Sequence, residues 1–121
     1  MSNAAILTSW GSPHVGRESK ALEVFSQVLE FYATQKSKGK IADFRVYTAS
    51  NGQLSEFGGV MLIEGSVQQC RDLVDTEDFQ KLLLKAHHLV TNLNVVHMNT
   101  GDEIQKVIGR LLEVRKQLGI I

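Results

Sequence analysis

A single cysteine, Cys70, stands in these 121 residues. No disulfide can form within the chain, which excludes a stapled scaffold and fits a reducing compartment. Neither sign of charge dominates: thirteen Lys and Arg offset thirteen Asp and Glu, and the pI lies near 6.9. A balanced chain has no overall attraction for nucleic acid or for an anionic membrane. The short cluster Lys36, Lys38 and Lys40 is a local exception. No apolar run approaches the ~20 residues needed to cross a bilayer. The apolar stretch Ala4–Leu7 is too short for the core of a signal peptide and has no basic segment before it. A cytoplasmic protein with neither nucleic-acid nor membrane partners is expected. Phosphate loops, dinucleotide glycine patterns, Cys-x-x-Cys pairs and hydrolase elbows are missing as well. No cofactor is expected, and no metal site.

What is there is an ordinary globular balance. The hydrophobic share is 43% and the charged share 21%, enough to build a core. With no internal repeat and no linker-like stretch, residues 1–121 read as one domain.

Hydrophobic periodicity gives the order β-α-β-β-α-β-α. Ala4–Trp10 alternates as a strand, with Ile6, Thr8 and Trp10 on one side, and stops at Gly11-Ser12-Pro13. A long helix follows over about 16–37, with Leu22, Phe25, Val28, Leu29 and Tyr32 as its apolar stripe and Gly39 as its terminator. A strand over about 41–49 and a hairpin loop at 50–53 lead to a nearly unbroken apolar strand over about 57–64. Gly58-Gly59 marks a bulge or close packing there. Ser66 and Gln69 have capping-box spacing, and Asp75 or Thr76 restarts the helix after a break. The last strand is expected over about 93–98. Thr100 and Glu103 form another capping-box pair, opening a final helix whose apolar side includes Ile104, Val107, Ile108, Leu111 and Leu118.

The first six elements are the split pattern of the ferredoxin-like fold, an α+β class. They give one antiparallel sheet with helices on one face and an extra C-terminal helix. The apolar third strand implies that the second sheet face is covered too, most simply by another copy of the chain. The split pattern, the Asp75-Thr76-Glu77-Asp78-Phe79 segment and the Val-rich last strand together resemble the dimeric α/β-barrel superfamily. The stretch Trp10-Gly11 through His14, Gly16, Arg17, Glu18 and Ala21 is similar to the opening of an uncharacterised bacterial branch of it. The resemblance implies a homodimer. It also implies either a small-molecule-binding or interaction module, or a cofactor-independent monooxygenase- or isomerase-like enzyme acting on a small apolar or aromatic substrate.

Trp10, His14 and Arg17 are the candidate ligand-binding residues. They cluster at the end of the first strand and the start of the first helix, where Arg17 could clamp a carboxylate and Trp10 supply a flat wall. An Arg at a helix N-terminus opposes the helix dipole, and such departures mark ligand or partner contacts. The bland alternative pairs Arg17 with a nearby acid and buries Trp10 in an interface. His14 and His97 are candidate proton carriers, and His97 reads equally as a satisfied core histidine. His87 and His88 are adjacent on a helix and point about 100° apart, which defeats chelation of one metal. Cys70 reads as a buried core residue, and Asp43, Arg45 and Tyr47 as a polar row on one sheet face.

Overall fold

The computed structural model describes residues 2–52 and 57–120. Its elements are β1 (Ala4–Trp10), α1 (Glu18–Ser37), β2 (Asp43–Thr48), β3 (Gly59–Gly65), α2 (Val67–Val74), α3 (Glu77–His87), β4 (Asn94–Asn99) and α4 (Asp102–Gln117). The four strands form one sheet in the order β2-β3-β1-β4, every neighbouring pair antiparallel. Two interlocked crossovers, β1-α1-β2 and β3-α2-α3-β4, account for that order.

The alternation along β1 sets the two faces. Ala4, Ile6, Thr8 and Trp10 pair with Gly65, Ile63, Met61 and Gly59 of β3. On this face Ile6 and Ile63 are fully buried beside Tyr32 of α1, Cys70 and Leu73 of α2, and Phe79 of α3. The other face carries Leu7, Val60 and Leu62, which are half-buried, and Tyr47, Val96 and Met98, which are exposed. The apolar run of β3 is thus covered on one side by its own helices and left partly bare on the other.

Local chemistry fixes the helix ends. In α1 the Lys40 N–H bonds the Gln35 carbonyl and the Gly39 N–H the Lys36 carbonyl, with Gly39 at φ +72°. That is a Schellman ending, which needs a left-handed residue where glycine sits. Ser66 and Gln69 form the expected capping box on α2, and Thr76 caps α3 through the Phe79 N–H.

Other boundaries move. The first helix starts at Glu18, with Arg17 as an N-cap that makes no side-chain capping bond. β3 starts at Gly59 and β4 spans Asn94–Asn99. The expected Thr100–Glu103 box does not form. Gly101 is the N-cap of α4, with no side-chain bond, because the Thr100 N–H still continues the strand edge to the Asn3 carbonyl. The hairpin loop expected at 50–53 runs into residues outside those described.

Candidate functional site

Trp10 closes β1 and directs its indole toward the helices. Its ring meets Phe25 of α1 edge-on, centroids 5.9 Å apart at 64°. Gly59, its partner across the ladder, leaves the room the indole fills: a Cβ there would lie 2.5 Å from Trp10 Cζ2.

The layers do not close completely behind Trp10. A cavity of about 250 Å³ lies between the sheet and α1 and α3. Thr8, Trp10 and Met61 form its sheet side, Phe25 and Val28 its α1 side, and Leu82 and Leu83 its α3 side. Leu22, also lining it, is 69% exposed and so stands at the rim. Among the described lining residues Tyr32 is the sole ionisable side chain. Burial raises its hydroxyl pKa well above the ordinary value, so it stays neutral at physiological pH. Thr8 Oγ1 is buried and lacks a hydrogen-bond partner.

The loop after β1 fastens onto the segment after α3. Gly11 N–H donates to the Thr91 carbonyl, His14 N–H to the Leu89 carbonyl, and Pro13 bridges Val90. Arg17 Nη1 donates to the His88 carbonyl at 2.7 Å. His88 is the C-cap of α3, so the guanidinium sits at the negative end of that helix dipole. This contact accounts for an Arg that is ill-placed on its own helix.

The candidate residues therefore separate. Trp10 lines the cavity; His14, Arg17 and His97 are not among its lining residues. His14 is half-buried in the loop. His97 pairs with Ile6 and shares its helix-side register, yet it is exposed, because no helix packs substantially over the edge strand β4. His87 and His88 are exposed, and among the described residues no three His, Cys, Asp or Glu side chains gather as a metal set. Cys70 is buried on α2, which raises its thiol pKa.

On the opposite sheet face Arg45 reaches Glu64 at 3.7 Å and Asp43 at 3.9 Å, while Lys36 bonds Asp43 at 2.9 Å. The polar row is a set of mutually neutralising pairs in one chain. Sequence reasoning missed Thr8, Met61, Leu82 and Leu83 as site residues. Thr8 alone carried a signal, a hydroxyl on the inward alternation between Ile6 and Trp10.

The architecture is ferredoxin-like α+β. Solved structures share it, among them a dimeric ferredoxin-like protein of unknown function from Bacteroides fragilis NCTC 9343, at 10% identity and TM-score 0.60, covering 80% of this chain and 95% of that one. A conserved protein from Methanosarcina mazei Go1 matches at 9% identity and TM-score 0.62, over 82% and 94%. SnoaB, a cofactor-independent oxygenase from Streptomyces nogalater, matches at 12% identity and TM-score 0.54, over 82% and 92%. At such identities the likeness is one of fold. No family model and no curated protein matches the chain. Among the described residues no helix is long and apolar enough to cross a membrane.

Proposed function

We propose that this chain is a small-molecule-binding module that takes an uncharged, largely apolar ligand between its sheet and its helices. The cavity behind Trp10 carries the reading. Its volume, about 250 Å³, lies between the ~150 Å³ that accepts benzene and the ~300 Å³ at which drug-sized sites begin. A ligand of one or two rings fits that range. A charged ligand would lose its hydration to walls that offer no counter-charge. Thr8, with its unpartnered hydroxyl, is one polar group of a lining that also holds Tyr32 and Thr48, and it can meet one ligand heteroatom after a turn about χ1.

An enzyme of the cofactor-independent monooxygenase or isomerase kind is the second reading. Its support is the fold shared with the Streptomyces oxygenase. It would require His14 or His97 to move a proton and Arg17 to steer an anionic group. None of the three lines the cavity, so binding ranks first.

The module is read as a homodimer. The exposed Tyr47, Val96 and Met98 on the face away from the helices support this, as does the dimeric neighbour. Light scattering at micromolar concentration is expected to give twice the chain mass, and a monomer would contradict it.

Trp10 is the chain's only tryptophan, so its fluorescence reports the cavity directly. Titration with naphthalene is expected to shift Trp10 emission saturably, and Ala86→Phe, which fills the lining, to abolish the shift. A linear, unsaturable response in both proteins would sink the reading.

A further inference from the structure

α4 is built like a core helix but lacks a core. At 100° per residue its apolar side chains, from Ile104 to Leu118, fall within roughly 160° of arc, wide enough to seat a helix on a hydrophobic layer. Its end is completed by a Schellman pair, the Ile120 N–H on the Arg115 carbonyl and the Gly119 N–H on the Lys116 carbonyl. Yet none of its residues is buried, and it packs substantially against no other element of its own chain. Only its first turns approach the sheet, where Ile104, Val107 and Ile108 border Met98 and Asn99. Leu111, Leu112 and Leu118 beyond them are 58%, 56% and 67% exposed.

We infer that α4 is a clasp that lies on the open sheet face of a second copy of this chain, a proposal that rests on the homodimer reading. Continuity is the first argument. Met98 belongs to the bare sheet face and also borders α4, so sheet face and helix stripe form one unbroken apolar surface. Area is the second. The exposed apolar side chains of α4 with Tyr47, Val96 and Met98 present roughly 1,000 Å² per chain, against the ~800 Å² per partner of a stable interface. Charge is the third. Arg115 is the one charged residue within the apolar arc, and the charged row of the open face, Asp43 and Glu64 with Lys36 and Arg45, is neutral as a set. A chain of zero net charge does not repel its copy. A two-fold pair closes the account, because each copy brings one arm and one bare face and covers both reciprocally.

The test uses the full chain and the double variant Leu111→Glu/Leu118→Glu, which alters exposed positions only. Sedimentation is expected to show a wild-type dimer and at least a 100-fold weaker association in the variant, with saturable naphthalene binding retained. In parallel, a spin label is placed on Glu113→Cys, on the polar side of α4, in a Cys70→Ala background. Unlabelled-isotope chains carrying it are mixed with nitrogen-15 chains. Broadening of the Leu62 and Val96 amides in the nitrogen-15 chains then reports contact between copies. A wild-type dimer that the double variant leaves equally tight overturns the clasp and spares the homodimer. So does a dimer in which those amides stay sharp. A wild-type monomer overturns both, including one whose α4 binds neutral lipid vesicles instead.

Discussion

The indole of Trp10 occupies the space that a side chain on Gly59 would need. A Cβ at Gly59 would lie 2.5 Å from Trp10 Cζ2 and 2.9 Å from the Tyr47 carbonyl oxygen. The second of these is backbone in the neighbouring strand and cannot swing aside. Gly59→Ala is therefore expected to lower stability by about 1–3 kcal/mol and to displace the indole from the cavity wall. Chemical unfolding with Trp10 fluorescence reads both effects. Unchanged stability and emission would show that the contact is not constraining.

Thr8 offers a test of the opposite sign. Its buried hydroxyl has no partner, and a buried unpaired polar group costs about 1–3 kcal/mol. Thr8→Val keeps the branched shape and removes that cost. Thermal unfolding of the ligand-free protein is expected at a higher temperature than wild type. A lower midpoint would mean that the hydroxyl is satisfied.

Two threonines that look alike in sequence separate in the structure. Thr76 accepts the Phe79 N–H at 3.2 Å and caps α3. Thr100 precedes α4, whose N-cap is Gly101. Thr76→Ala is expected to cost about 1 kcal/mol, and Thr100→Ala less than about 0.5 kcal/mol. Equal losses in denaturant titrations would contradict the assignment.

Asp43 supplies a pH dependence. The hydrogen bond from Lys36 is the main cause holding its carboxyl below the ordinary pKa, and the Phe44 N–H adds to it. A folded pKa below the unfolded one gives stabilisation that is present above the unfolded value and is lost as pH falls through the folded value. Lys36→Met is expected to raise the Asp43 carboxyl pKa in a carbon-13 titration. An unmoved midpoint would contradict the pairing.

Much of this architecture is legible in the sequence because strand alternation and turn residues agree. Ala4–Trp10 is bounded by Gly11-Ser12-Pro13, and its observed limits are the expected ones. Ser66 and Gln69 announce their capping box for the same reason. Thr100 misleads, since capping-box spacing says nothing of a strand edge that still holds its N–H. Arg17 is conspicuous in the sequence, but its partner, the His88 carbonyl, lies 71 residues away. The cavity is the least legible feature. Periodicity shows that Phe25, Val28, Leu82 and Leu83 face inward; the gap left among them depends on how the distant segments around β1 pack. Apolar patterning cannot distinguish a filled core from one with room for a ligand.

On the binding reading, the space behind Trp10 receives an apolar guest. Isotope-filtered nuclear Overhauser spectroscopy with unlabelled naphthalene and carbon-13 methyl-labelled protein tests it most directly. Cross-peaks from naphthalene to the methyls of Val28, Met61 and Leu83 are the predicted result. Cross-peaks confined to Met98, Ile104 and Val107 would place the guest beside α4 and contradict the claim.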